Sequence, residues 1–414
     1  MTKRTAGVIR AMAGLALAVG GAAAAQDSPL SAHPETAPSE KLLWPAAESG
    51  TLRNAVQLTP PSLFHKAGEA YFSKYARWII FQAIPATPEG IEPDKHYSMY
   101  IARLKRDEHD KVIGMESPIE ISPPGSANTC GFFDPKVPFR VIFGTTRTPY
   151  EEQGAPGFQR ESSTYSWEFP ESMDVCRRVI PMLREDFLPG LPKEVNFRYG
   201  KDSTEPVPVW EAPGYEAECA FHPSGEFIVY TWMNPETKDA DIYLRDLFGR
   251  RSLPMITADG YDGGPFFSPD GRSICYRSDR KGDGKLQIFV AELEVDGAGK
   301  PTGRVLAERP VTDDDNVNWA PFWDPTGEFL VFTTSAEGHS NYEVYSVQVP
   351  LGANAGKKPS ELKRKRITHG PGFDGLPAFS DDGTLMMWTS QRRTDSNEKG
   401  SSQVWIAETV DLRP

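Results

Sequence analysis

The chain has 414 residues and a formal charge of −12 at neutral pH, and 11% of its residues are aromatic. Its 37 prolines and 36 glycines exclude long uninterrupted helices, whereas the aromatic content suits half-buried β-strands. The acidic balance excludes nucleic acid as a main partner and allows cationic ligands, divalent ions or simple solubility.

The first 25 residues have the pattern of a secretory signal peptide. Three basic residues precede the apolar stretch Ala11–Val19, and the small residues Ala22–Ala25 follow it. A retained membrane anchor is the alternative, but the apolar stretch is shorter than a bilayer requires. Cleavage near Ala25 would remove three cations and leave a periplasmic or secreted chain of charge −15 without a transmembrane segment.

Residues 26–50 are rich in Pro, Ser, Ala and Glu, which is typical of a flexible leader. Their apolar cluster, Leu42–Trp44, is expected to dock on the folded body, with docking on a partner as the alternative. We therefore expect the folded domain to span residues 51–414.

Four similar stretches indicate a repeated β unit. They are Cys219–Gly225, Pro265–Gly271, Pro321–Gly327 and Pro377–Gly383. Each precedes an apolar run, and weaker copies that begin at Tyr71 and Phe132 bring the number of units to six. A third and a less regular fourth strand follow in each unit. Four short antiparallel strands per unit make one blade of a β-propeller.

The two ends of the chain are expected to share one blade. The sequence stops soon after the third strand of the sixth unit, and Leu52–Leu58 has the pattern of a spare fourth strand. Pairing them would remove the exposed edges. We therefore predict an all-β fold, a six-bladed β-propeller of four-stranded antiparallel blades closed by an N-terminal strand.

Blade 2 is expected to carry a surface insertion at about residues 145–190. We predict its third strand at Thr164–Glu168 and a partly helical segment from Glu171 to Gly190. Export permits a disulfide between Cys130 and Cys176, whereas Cys219 and Cys275 are expected to be buried free thiols.

The repeat resembles that of a known family. Asp262–Gly271 combines Asp-x-x-Pro with a Ser-Pro-Asp-Gly turn, and Asn318–Pro321 and Asp374–Pro377 match its first half. This pattern resembles the WD40-like repeat of the TolB-like family, over roughly residues 51–410. The leader is too short for the α/β domain that precedes the propeller in TolB itself. The same propeller type also occurs in oligogalacturonate lyase and in prolyl-oligopeptidase-like peptidases.

One position at the entry of each innermost strand is polar in five of the six units. The six residues are Ala67, Asn128, Glu216, Asp262, Asn318 and Asp374, and the aromatic neighbours of the last four are Tyr215, Tyr261, Trp319 and Phe373. In a propeller they would ring one mouth of the central channel. Carboxylates there could hold a cation or a basic peptide, and aromatic faces could stack on a sugar. Alternatively, the polar residues cap turns and the aromatic residues pack between blades.

Sequence motifs for hydrolysis, metal binding and phosphate binding are missing, so we assign no catalytic residue. Our leading hypothesis is an exported, monomeric, non-enzymatic propeller that binds a protein or a cell-envelope component through its acidic, aromatic channel mouth. The alternative is a polysaccharide lyase or hydrolase with a divalent cation such as calcium held near Asp262, Asp374 and His369. Beyond that cation, we expect no cofactor.

Overall fold

The computed structural model describes residues 44–151, 157–159, 164–166, 169–187 and 203–414. The predicted signal peptide and residues 26–43 of the leader lie outside these ranges. The described residues form six antiparallel blades, and the first strands of the blades contact one another in a closed ring. The predicted six-bladed β-propeller is therefore confirmed. Within the described ranges, no helix has the length and apolar character needed to cross a membrane.

The first half of the chain forms two blades. Helix α1 (Trp44–Glu48) and strand β1 (Leu52–Gln57) precede them. Blade 1 contains β2 (Phe64–Phe72), β3 (Trp78–Pro85), β4 (Ser98–Arg106), β5 (Val112–Met115) and β6 (Ile119–Glu120). Blade 2 contains β7 (Ser126–Phe133), β8 (Arg140–Pro149), the hairpin β9 (Gly157–Gln159) and β10 (Thr164–Ser166), then β11 (Asp174–Val179), α2 (Leu183–Phe187) and β12 (Val207–Pro208).

The second half forms four more regular blades. Blade 3 contains β13 (Tyr215–Phe221), β14 (Phe227–Met233), β15 (Ala240–Asp246) and β16 (Arg251–Ile256). Blade 4 contains β17 (Asp262–Phe267), β18 (Ser273–Ser278), β19 (Gln287–Val295) and β20 (Pro301–Pro310). Blade 5 contains β21 (Asn318–Trp323), β22 (Phe329–Thr334), β23 (Glu343–Gln348) and β24 (Arg364–Arg366). Blade 6 contains β25 (Asp374–Phe379), β26 (Leu385–Ser390) and β27 (Gln403–Thr409).

The N-terminal strand completes blade 6. Strand β1 pairs with β27 in antiparallel register, with Leu52 opposite Thr409 and Val56 opposite Ile406. The sheet order β1–β27–β26–β25 makes β1 the outermost strand of this blade. The predicted closure by an N-terminal strand is therefore correct.

The leader residues next to β1 are ordered against the body. Trp44 packs edge-to-face on Trp405, with ring centroids 5.8 Å apart, and Glu48 is only 2% exposed. Trp44 therefore docks on the folded body as expected, whereas Leu42 and Leu43 lie outside the described residues. Within residues 44–50 of the expected leader, the partly buried Trp44 and the buried Glu48 hold α1 against blade 6.

The third strand of blade 2 differs from the prediction. Thr164–Ser166 pairs with β9 in a separate hairpin, and the third strand is β11, which pairs with six residues of β8. The segment that we expected to be partly helical begins with this strand because Val175 and Cys176 are fully buried in the blade. Among the described residues of this segment, only Leu183–Phe187, after Pro181, is helical.

Each innermost strand contains a β-bulge at the same position. The bulge residues, with φ between 46° and 59°, are Glu69, Cys130, Glu218, Gly264, Ala320 and Leu376. Each lies two positions after the residue predicted to ring the channel mouth, and the strand register shifts across it. A bulge re-aims the strand locally. All six residues line one cavity on the channel axis.

Candidate functional site

The five polar residues predicted to ring the mouth are buried in the channel wall. None of them is more than 5% exposed; they are Asn128, Glu216, Asp262, Asn318 and Asp374. Asn128 Nδ2 donates to the carbonyl of Tyr97 at 2.9 Å, and Asp262 Oδ2 accepts from the Ala258 amide at 2.9 Å. Such bonds fix the connection that leads into each innermost strand. In the structure, these side chains therefore stabilise the backbone of the connecting loops.

The three residues suggested as metal ligands do not converge. Asp262 Oδ1 accepts from Arg280 at 3.1 Å in blade 4, and Asp374 Oδ2 accepts from Arg392 at 2.7 Å in blade 6. His369 is half-buried in the connection before blade 6. Among the described residues, no group of three or more His, Cys, Asp or Glu side chains could hold a metal ion. These residues therefore do not fit a shared cation site.

The four predicted aromatic residues pack together at the mouth. They are Tyr215, Tyr261, Trp319 and Phe373, each at most 6% exposed, and we call them the aromatic floor. Phe169, from the insertion in blade 2, packs on Tyr215 with ring centroids 5.0 Å apart. Trp319 and Phe373 are 5.9 Å apart. Because the rings cover one another, the floor offers little free aromatic surface for a sugar.

A buried ion pair lies beneath the aromatic floor. Arg277 Nη2 donates to Glu218 Oε1 at 3.0 Å and to the Tyr261 hydroxyl at 2.7 Å. The Tyr261 hydroxyl and the Gly264 amide each donate to Glu218 Oε2 at 2.7 Å. Thr231 Oγ1 adds a third donor to that oxygen at 2.8 Å. The ion pair therefore joins the innermost strand of blade 3 to the second strand of blade 4, and the Gly264 amide links the two innermost strands.

A second polar group lies on the innermost strands of blades 1 and 2. Cys130 Sγ donates to Glu69 Oε1 at 3.0 Å, and the Tyr71 hydroxyl donates to the same oxygen at 3.3 Å. Burial raises the pKa of the Glu69 carboxyl and raises that of the Cys130 thiol well above its ordinary value. Since the thiolate is the reactive form, this thiol is a poor nucleophile at neutral pH.

The other end of the channel is closed by aromatic rings. Tyr71, Phe132, Phe266 and Phe322 pack with ring centroids between 5.0 and 6.2 Å apart. Between these rings and the aromatic floor, the bulge residues line a cavity of about 20 Å³. This volume holds roughly one water molecule. The polar layer can therefore hold a proton or a water molecule, but it has no room for a substrate.

Sequence reasoning missed this polar layer. Its residues Glu69, Cys130 and Glu218 follow the predicted ring position by two residues, which was the available signal. Strict alternation along a strand would place both positions on one face. The bulge changes that direction and aims Glu69, Cys130 and Glu218 at the channel axis.

The disulfide between Cys130 and Cys176 is not formed, and all four cysteines are free. Cys130 lies on the innermost strand of blade 2 and Cys176 on the third. Strands two positions apart in a sheet are separated by roughly 10 Å, beyond the 7 Å or so that the Cα atoms of a disulfide span. Cys219 and Cys275 are buried free thiols, as predicted.

Loops of blades 3 and 4 place carboxylates beside the aromatic floor. Asp239 Oδ1 accepts from the Gly260 amide at 2.7 Å, and Asp279 Oδ1 accepts from the Tyr261 amide at 2.6 Å. Burial, followed by the charges of Asp239 and Asp262, raises the pKa of Asp241 to about 6. The exposed Asp259 and Asp283 extend the same region. Carboxylates that disfavour one another's ionisation are expected to attract a cation.

Glu216 gives a prediction about stability and pH. Burial raises the pKa of its carboxyl to about 8. Oε1 accepts from Trp210 Nε1 at 2.6 Å, and the buried Oε2 finds no hydrogen-bond donor among the described residues. The folded chain therefore holds a proton that the unfolded chain releases above about pH 4.5, so this carboxyl lowers stability as the pH rises from 4.5 towards 8.

We expect Glu216→Gln to raise the free energy of unfolding by at least about 1 kcal/mol at pH 8 and to leave it nearly unchanged at pH 4.5. Urea unfolding at both pH values measures the difference, with the exposed Glu211→Gln as the matched control. An equal effect of Glu216→Gln at both pH values would contradict the assignment of a protonated Glu216.

Comparison with known proteins finds relatives that match only part of this chain. No family model matches the chain. The uncharacterized peptidase YuxL of Bacillus subtilis is 26% identical over 181 residues, which are 37% of this chain and 26% of that protein. The uncharacterized protein Atu1656 of Agrobacterium fabrum is 30% identical over 112 residues, which are 27% of this chain and 33% of that protein. The matches thus span a third or less of these relatives.

Two solved structures are similar at low identity. TolB from Acinetobacter baumannii has a TM-score of 0.45 and 14% identity, over 80% of this chain and 76% of that one. Oligogalacturonate lyase in complex with manganese has a TM-score of 0.42 and 13% identity, over 86% of this chain and 93% of that one. Neither similarity bears on activity. On the evidence of its own sheet topology, the chain is a six-bladed β-propeller closed by its N-terminal strand.

Proposed function

We propose that the protein is an exported, monomeric, non-enzymatic β-propeller that binds a basic segment of a protein or cell-envelope component at its channel mouth. The observation that carries the proposal is the group of carboxylates on blades 3 and 4, where neighbouring charges help to raise the pKa of Asp241 to about 6. A lysine or arginine of a partner would relieve this repulsion.

The form of the mouth supports surface binding. The aromatic floor closes the channel, so a partner would contact the rim. At that rim, Asp259, Asp283, Glu337 and Asp395 are exposed, on loops of four different blades or blade connections. Charge complementarity over such a rim favours association rate and specificity. The basic, apolar start of the sequence supports export.

The alternative, a metal-dependent polysaccharide lyase or hydrolase, has less support from the geometry. The carboxylates suggested for it, Asp262 and Asp374, accept hydrogen bonds from Arg280 and Arg392 in different blades. Metal analysis of the purified protein, with thermal melts with and without a chelator, separates the two functions. Stoichiometric metal whose removal lowers the melting temperature would favour the lyase or hydrolase.

The binding proposal predicts a charge-dependent affinity for a basic probe. Fluorescence polarisation of a labelled octalysine peptide measures it for the wild type and for Asp241→Asn/Asp259→Asn/Asp283→Asn. We expect the triple variant to bind at least about fivefold more weakly at pH 7.5, since Coulomb attraction is lost at the rim. We also expect wild-type binding to weaken as the pH falls through about 6, where Asp241 becomes protonated.

A control of equal charge uses exposed carboxylates away from the mouth, Glu108→Gln/Asp296→Asn/Glu328→Gln. This variant has the same net charge as the mouth variant. If the two variants bind octalysine equally well, overall charge explains the affinity, and the mouth is not the binding surface.

A further inference from the structure

One position near the start of the third strand is structurally equivalent in blades 3 to 6. In each of these blades, the residue at this position and the predicted ring residue lie opposite the same residue of the second strand. In blade 3, Glu216 and Asp241 both lie opposite Trp232. The residues at the position are Asp241, Gln287, Glu343 and Gln403. Two amides and two carboxyls therefore occupy equivalent places at the mouth.

The two glutamines link their blades to the next part of the ring. Gln287 Nε2 donates to the carbonyls of Asp314 and Asn316, at 3.0 and 2.9 Å, in the connection from blade 4 to blade 5. Gln403 Nε2 donates to the carbonyl of Phe64 at 3.1 Å, at the start of blade 1. An amide nitrogen can make these bonds because it is a donor, whereas an ionised carboxylate only accepts. Blades 4 and 6 therefore use a donor at this position.

The two carboxyls at this position have different surroundings. Glu343 is fully buried and accepts hydrogen bonds from Arg366 Nη2 at 2.7 Å and from the Thr368 hydroxyl. Burial, followed by the charge of Asp374, raises the pKa of Glu343 to about 9. Asp241, in contrast, has a buried Oδ1 that accepts from no donor among the described residues. The protonation of Asp241 therefore depends on burial and on neighbouring charges.

The connection from blade 3 to blade 4 offers acceptors to Asp241, since its amides are already bound. These amides donate to carboxylates at 2.6 to 2.9 Å: Ala258 to Asp262, Gly260 to Asp239 and Tyr261 to Asp279. The carbonyl of Ala258 lies four residues before the ring residue of blade 4, as that of Asp314 does in blade 5. The carboxyl of Asp241 can donate to such a carbonyl only when it carries a proton.

The charges that face Asp241 favour this proton near neutral pH. Asp239 of the preceding loop and Asp262 of β17 act with burial to raise the pKa of Asp241 to about 6. Tyr243, two residues along β15, is a further titratable group beside it, and its own pKa is raised by burial and by the charge of Asp241. The neighbouring cations are already paired with carboxylates, Lys238 with Glu171 and Arg280 with Asp262.

We propose that Asp241 is a proton-controlled link that regulates the mouth. When protonated, it donates to the connection from blade 3 to blade 4, as Gln287 and Gln403 donate in their blades. When ionised, it releases this connection and accepts a cation of the partner. Because aspartate is one methylene shorter than glutamine, the connection moves towards it when the bond forms. The connection carries the exposed rim residue Asp259, so the link acts on the site itself. This regulation rests on the proposed binding of a basic segment at the mouth.

Hydrogen exchange of the amides of residues 256–262 tests the link in the protein alone. Wild type, Asp241→Gln and Asp241→Asn are compared at pH 5 and pH 7.5, with intrinsic exchange rates corrected. We expect wild-type protection to be at least about threefold lower at pH 7.5 than at pH 5, because the connection is then released. Protection in Asp241→Gln should be the same at both pH values. Equal wild-type protection at both pH values would overturn the proposal.

The control for hydrogen exchange is Glu236→Gln, an exposed position on the loop that precedes β15. It removes the same charge as the amide variants of Asp241 without touching the link. We expect its protection to depend on pH as that of the wild type does. If Glu236→Gln abolishes the pH dependence as well, loss of charge on the loop explains the effect, and Asp241 is not the link.

Thermal melts give a second measure of the link. The folded chain holds a proton on Asp241 that the unfolded chain releases above about pH 3.8, so this carboxyl lowers stability as the pH rises from about 4 through 6. We expect Asp241→Gln to raise the melting temperature by at least about 1 °C at pH 7.5 and to change it little at pH 4.5. The same shift at both pH values would contradict control by a proton.

Proton release on binding connects the link to the function of the mouth. Calorimetric titration of octalysine at pH 6, in buffers of different ionisation enthalpy, counts the protons released. We expect about 0.5 proton per binding event for the wild type and nearly none for Asp241→Gln, because a cation at the mouth ionises Asp241. Binding at the mouth without proton release would overturn the regulation. If octalysine does not bind at the mouth, the proposed function fails, and hydrogen exchange still decides whether Asp241 links the blades.

Discussion

Arg392→Met is expected to lower the free energy of unfolding by about 3–5 kcal/mol. Arg392 is fully buried and donates to Glu48 Oε1 and Oε2, each at 3.0 Å, and to Asp374 Oδ2 at 2.7 Å. Loss of the guanidinium would leave two carboxylates in a water-excluded site. Because Glu48 belongs to α1 and Asp374 to the innermost strand of blade 6, the network joins the N-terminal segment to the blade that closes the ring.

Three indole rings enclose the same guanidinium. The distance from Arg392 Cζ to the ring centroid is 4.2 Å for Trp44, 5.0 Å for Trp388 and 5.4 Å for Trp405. Desolvated cation–π contacts of this kind add to the ion pairs. Urea unfolding measures the effect, and the exposed neighbour Arg393→Met is the control. A loss below about 1 kcal/mol for Arg392→Met would contradict a central role of this network in closure.

Arg277→Met is expected to lower the free energy of unfolding by a similar amount, about 3–5 kcal/mol, because it leaves the Glu218 carboxyl group buried beneath the aromatic floor without its cationic partner. Arg277 and Glu218 are joined at 3.0 Å, with side chains only 9% and 4% exposed. Glu218→Gln in the same chain should recover much of the loss, since the amide carries no charge. The double-mutant cycle then gives the coupling between the two side chains.

Urea unfolding of the single and double variants measures this coupling. Arg272→Met, at an exposed position of the neighbouring turn, is the control and should change stability by less than about 0.5 kcal/mol. If the double variant is as unstable as Arg277→Met alone, the loss comes from packing of the Arg277 stem, and the buried charge of Glu218 is not its cause.

The fold could be predicted because the repeat encodes it locally. A turn with Pro and Gly followed by an apolar run fixes two strands of each blade, and the incomplete last unit indicates the closure by Leu52–Gln57. The third strand of blade 2 was harder to predict because the insertion supplies a second strand-like segment. This segment, Thr164–Ser166, has a sequence as typical of a third strand as that of β11.

The candidate site could be predicted only in part. The residues at the mouth were found by alignment of the repeats, but their burial depends on partners distant in sequence. Arg277 is 59 residues from Glu218, and Arg392 is 344 residues from Glu48. The sequence carried no signal for these pairs. The bulges that aim Glu69 and Glu218 at the channel left one signal, their spacing of two residues after the ring position, because no residue type is shared by all six bulge positions.

The most direct test of binding at the mouth is capture from an envelope fraction of the source cells. Immobilised wild type, the mouth variant Asp241→Asn/Asp259→Asn/Asp283→Asn and the equal-charge control Glu108→Gln/Asp296→Asn/Glu328→Gln are compared at pH 7.5 by quantitative mass spectrometry. We predict at least one protein or envelope component that the wild type and the control retain and the mouth variant loses. Capture of the same set by all three proteins would contradict binding through the acidic mouth.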